Sequence, residues 1–133
     1  MKIKRILLSI LAFVVIILEL LPNGVILRFA NPIGAPLVQK FCYFSLTPFG
    51  YGNFGPFITA LLTCVIPILV MIGWFRLSKA ITVALMIVSG VATVISLTPL
   101  VFGIEYFTVI GIGVSVLLGI IFCMCFVKPN WQE

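Results

Sequence analysis

The chain has 133 residues, of which 63% are hydrophobic and only 8% charged, with a formal net charge of +5. Soluble domains carry about 45–50% apolar and about 25% charged residues, and so short a chain cannot hide this much apolar surface in one core; a water-soluble domain and a disordered chain are excluded, leaving an integral membrane protein whose partner is the lipid bilayer. It has no His and no Asp, which excludes a Ser-His-Asp triad, a His-ligated zinc and paired aspartates, so no catalytic residue, metal site or cofactor is expected.

In chain order, the first apolar stretch covers residues 6–21, interrupted by Ser9 and Glu19 and preceded by Lys2, Lys4 and Arg5. A basic start and an apolar run suit a signal peptide, but Glu19-Leu20-Leu21-Pro22 stands where small residues should lead to a cleavage site. An uncleaved signal anchor is therefore expected. Residues 22–56 follow as the one long connection, and further apolar stretches cover residues 57–75, 80–101 and 107–127. Each stretch is near the roughly 20 residues that cross a hydrocarbon core of about 30 Å. Each is apolar around the whole helical wheel, without the alternation of barrel strands. The fold expected for residues 1–133 is a single all-α membrane domain, a four-transmembrane-helix bundle.

The six basic residues Lys2, Lys4, Arg5, Arg76, Lys79 and Lys128 fall on one side of such a bundle, with Arg28 and Lys40 on the other. The positive-inside rule then predicts a multi-pass plasma-membrane protein with both termini cytoplasmic. A nucleic-acid partner is not expected, because basic residues spread over three short flanks make no stripe.

In residues 22–56, prolines and glycines forbid a long helix. Two runs between the breakers, residues 24–30 and 39–46, are rich in β-branched or aromatic residues, with a wide turn over residues 31–36. They predict a small extracellular two-stranded antiparallel β unit packed on the outer mouth of the bundle. Aromatic residues gather at its end: Phe41, Tyr43, Phe44, Phe49, Tyr51, Phe54 and Phe57. They read as an interfacial aromatic belt and also as a docking face for a protein or lipid.

Four charges share this outer region: Glu19, Arg28, Lys40 and Glu105. One reading is structural ion pairing of Glu19 or Glu105 with Arg28; the other is a site for a cation, proton or polar headgroup. Gly111, Ser115 and Gly119 recur every four residues. They form a small-residue seam for packing inside the bundle or, in a minority reading, for a homo-oligomer or partner helix. Pro67 and Pro99 should bend or end their helices. Cys42, Cys64, Cys123 and Cys125 fit neither a disulfide framework nor a zinc site.

The run from Tyr43 to Pro56, Tyr-Phe-Ser-Leu-Thr-Pro-Phe-Gly-Tyr-Gly-Asn-Phe-Gly-Pro, preceded by Glu19-Leu20-Leu21-Pro22, resembles one found in small uncharacterised four-span membrane proteins of clostridia-like Gram-positive bacteria. That resemblance implies a topology and a bacterial source but no activity. The layout is also similar to claudins in placing strands between the first two spans, without their Trp and paired-Cys signature. Small multidrug-resistance exporters share four spans and a glutamate in the first, which Glu19 would match. They place it deeper and have short loops throughout. The function expected is non-enzymatic binding or organisation of a protein or lipid partner through the outer aromatic segment. The alternative is a small transporter or channel subunit using Glu19.

Overall fold

The computed structural model describes residues 2–29, 32–35, 37–44, 54–76, 78–104 and 107–127. Helix α1 is Lys2–Leu20; strands β1 and β2 are Val25–Phe29 and Leu37–Phe41; helices α2 to α5 are Phe54–Phe75, Lys79–Ser96, Pro99–Phe102 and Val109–Val127. The four long helices form an antiparallel ring in which α1 packs on α2, α2 on α3, α3 on α5 and α5 back on α1. Short connections between α2 and α3 and between α3 and α5 favour this arrangement, since they leave antiparallel neighbours as the accessible packing.

Helix boundaries follow local chemistry. Helix α2 begins before the expected stretch, with Gly55 and Pro56 in its first turn, where proline's missing N–H has no helical acceptor to serve. Pro67 lies inside α2 without ending it, although it cannot donate to the carbonyl four residues back, at Thr63. Ser78 caps α3, its hydroxyl accepting from the Ala80 N–H at 3.2 Å. The third apolar stretch is not one helix. It stops at Ser96, turns at Leu97 and Thr98, and restarts at Pro99 as the short α4. Gly103, at φ 138°, closes α4 in a conformation glycine alone adopts freely.

Polarity is inverted relative to a soluble bundle. Phe13, Ile17, Phe75, Val94, Val101 and Val109 face outward, while Thr59, Thr63, Ser89, Ser96, Ser115 and Glu19 are buried. Hydroxyls satisfy themselves locally by donating to carbonyls one turn back, as Ser89 does to Leu85 at 2.7 Å and Thr93 to Ser89 at 2.7 Å. Three segments, Gly55–Phe75, Lys79–Val101 and Val109–Phe126, are long and apolar enough to cross a membrane. Helix α1 is not among them. Between Arg5 and Glu19 lie thirteen uncharged residues, about 20 Å of helix against a core of about 30 Å.

The β unit is an antiparallel hairpin in which Val25 pairs with Phe41, Ile26 with Lys40, Arg28 with Val38 and Phe29 with Leu37. The expected second strand, residues 39–46, is displaced. Pairing starts directly after Pro36 and ends at Phe41 because the chain then turns inward, the Tyr43 N–H donating to the Glu19 carbonyl at 3.1 Å. Gly34 in the connecting loop has φ 108°.

Candidate functional site

Two features meet at the end of the bundle where α1 stops and the hairpin begins. The first is a buried polar centre. Glu19 lies on the last turn of α1 and is fully buried. Its Oε1 is 2.8 Å from Thr63 Oγ1 on α2, and Thr63 Oγ1 is also 2.8 Å from the Thr59 carbonyl oxygen. Thr59 donates its own hydroxyl to the Gly55 carbonyl at 2.9 Å. Glu19 Oε2 is buried with no hydrogen-bond partner among the described residues. Glu19, Thr59 and Thr63 thus occupy one seam between two helices, at the turn whose backbone Pro67 deprives of a donor.

Tyr43 closes this centre. It is 1% exposed, and a Cβ on Gly24 would fall 2.8 Å from its ring. A Cβ on Gly111 would fall 3.3 Å from its hydroxyl oxygen. Gly24 is therefore small because the tyrosine ring crosses it, and Gly111 leaves room for the Tyr43 hydroxyl and the Phe107 ring. Burial pushes the Tyr43 phenol above its ordinary ionisation range, and Glu19 adds to that. Thr108 ties the same corner together: its hydroxyl donates to the Gly24 carbonyl at 2.9 Å and accepts from the Gly111 N–H at 2.9 Å.

The second feature is the hairpin surface. Leu37, Val38, Gln39 and Lys40 are all exposed, so both faces of β2 lack cover, and Ile33 at the loop tip is 86% exposed. Among the described side chains, Val25 and half-buried Phe41 pack the base of the hairpin against the core. A recess of about 440 Å³ lies between the hairpin and the start of α5, lined by Asn23, Ile26, Lys40, Phe107 and Thr108 among others. On the outer wall, α3 and α5 leave an apolar groove of about 600 Å³ beside Met86, Gly90, Val94 and Phe122.

The expected site residues distribute unevenly over these features. Glu19 and Tyr43 come together inside the bundle, so Tyr43 offers no exposed ring to a docking partner. Phe44 is half-buried against the core. Phe49, Tyr51, Glu105 and the side chain of Arg28 lie outside the described residues, and Glu19 bonds Thr63. Ser115 meets Ser96 of α3 at 2.8 Å, Gly119 approaches Thr93, and Gly111 abuts Tyr43, which places the small-residue face inward. The four cysteines are free, and among the described residues no cluster of His, Cys, Asp or Glu could hold a metal.

Thr59 and Thr63 escaped the sequence reading. Their signal was available: Thr59, Thr63 and Pro67 are spaced by four on an otherwise apolar helix, which sets them on one face. No family model, curated protein or solved structure matches the chain.

Proposed function

We propose that the chain is a non-enzymatic four-span protein of the plasma membrane, with both termini cytoplasmic, that organises a membrane-protein partner through its hairpin. The observation that carries this reading is the lack of cover on β2. Leu37 and Val38 are half exposed, Ile33 more so, and among the described residues the sheet has two strands, so both of its edges are open there. Such edges accept a further strand, and a lone hairpin is marginal without something packed on it. Lys4, Arg5, Arg76 and Lys79 lie at the end of the helices away from the hairpin, which under the positive-inside rule puts the hairpin outside the cell. Helix α1 is the fourth span. Its Glu19 is buried against Thr63 of α2, so the carboxyl that shortens the apolar stretch is kept from lipid.

Deleting the whole segment would be a poor test, because it also removes Tyr43 from the bundle. The informative variants are Leu37→Ser and Val38→Ser, both on the exposed strand. Crosslinking in native membranes followed by pull-down should recover a discrete protein adduct that these substitutions abolish. An unchanged set of adducts, or adducts with lipid alone, would sink the reading. A second reading, a small transporter using Glu19, is favoured by the unpartnered Oε2 in the interior. It expects solute flux into proteoliposomes that Glu19→Gln abolishes; wild-type flux no higher than that of empty vesicles removes it.

A further inference from the structure

We propose that Glu19 is a proton-binding site, held by the assembled bundle as a neutral carboxylic acid that donates to Thr63. The argument is a count of hydrogens. Thr63 Oγ1 stands 2.8 Å from two oxygens, Glu19 Oε1 and the Thr59 carbonyl. A threonine hydroxyl has one hydrogen and cannot serve both. Were Glu19 a carboxylate, one of these two contacts would bring oxygen lone pairs together with no hydrogen between them. A proton on Oε1 supplies the missing one. Glu19 Oε1–H then donates to Thr63 Oγ1, and the Thr63 O–H donates to the Thr59 carbonyl, so both contacts are filled in one direction along α2.

Three further observations agree. Oε2 is buried with no partner among the described residues, a situation far costlier for an ionised oxygen than for the carbonyl oxygen of a neutral acid. Thr59 has its hydroxyl hydrogen engaged with the Gly55 carbonyl, so it gives none to Glu19. Among the described positive charges, Lys40 on β2 is the one at this end, and its side chain is exposed while Glu19 is fully buried. The described titratable groups beside it are Tyr43, whose N–H bonds the Glu19 carbonyl, and Cys64, next to Thr63 on α2. Lys4 and Arg5 of α1, Arg76 and Lys79 around the α2–α3 turn, and Cys123 and Cys125 of α5 belong to the opposite end. The exchange is the simple addition of H⁺ to one carboxylate oxygen. It rests on α1 lying in the bundle and not on what the hairpin binds or whether any solute crosses.

The chain suits a direct test, because it has three glutamates and no aspartate. Infrared spectroscopy of the full chain in phosphatidylcholine vesicles, with ¹³C at the glutamate side-chain carboxyl, reads every acidic side chain at once. At neutral pH the wild type should give one isotope-shifted C=O band of a protonated acid. The band should be absent in Glu19→Gln, present in Glu105→Gln, and moved to higher frequency in Thr63→Val, which lacks the accepting hydroxyl. Labelled intensity confined to carboxylate bands in the wild type would overturn the assignment, as would a band that survives in Glu19→Gln or stays unmoved in Thr63→Val. Where Glu19→Gln does not assemble, the wild-type and Thr63→Val spectra decide.

Discussion

Tyr43 and Glu19 are joined at two levels, by the backbone bond from one to the other and by the shared corner in which both side chains are buried. Removing the ring by Tyr43→Ala should cost about 3–5 kcal/mol, the range for loss of a buried aromatic, and should free the hairpin. Unfolding in detergent reads the first effect and protease cleavage within residues 30–36 the second. Gly24→Ala should destabilise by about 1–3 kcal/mol through overpacking, since its Cβ would meet the Tyr43 ring at 2.8 Å. Thr63→Val should cost about 1–3 kcal/mol, because it leaves a buried carboxyl without its bonded partner; a change within error in the same unfolding assay would count against the buried polar centre.

At the scale of elements, hydrophobic run length marked the long helices, and it did so because each is apolar on every face. It was blind to what lies inside those runs. Pro67 leaves α2 continuous, since neighbouring helices and hydroxyls can take up a freed carbonyl, whereas Pro99, which cannot donate to the Ile95 carbonyl, follows a real break at Leu97 and Thr98. The hairpin was legible from its turn formers, but the second strand was placed too late. Aromatic content in residues 41–44 reads as strand propensity, while the actual use of Tyr43 is tertiary and has no local signature. The buried centre was half legible: a glutamate in an apolar run draws notice, and its threonine partners do not, since threonine is common on any helix. Gly34→Ala tests the hairpin alone. At φ 108° a side chain is strained, so the substitution should loosen the hairpin by about 1–2 kcal/mol, read as faster cleavage of residues 30–36 with no shift in unfolding of the helices.

For the whole molecule, the outward apolar surface and inward hydroxyls of the described residues fit a chain folded in lipid, and contact with a protein partner is the role proposed for the hairpin. In single-cysteine variants, an impermeant thiol reagent should label Cys42 from outside intact cells, and Cys123 only after permeabilisation. Labelling of Cys123 from outside, with Cys42 reached only after permeabilisation, would invert the proposed topology. The most direct measurement of the docking role is site-specific photocrosslinking in living cells, with the photoreactive side chain at Val38 on the hairpin or at Val94 on the outer wall of α3, both exposed. Val38 should yield a discrete protein adduct that Leu37→Ser abolishes, while Val94 yields lipid adducts. Lipid adducts alone from both positions would contradict a hairpin that organises a protein partner.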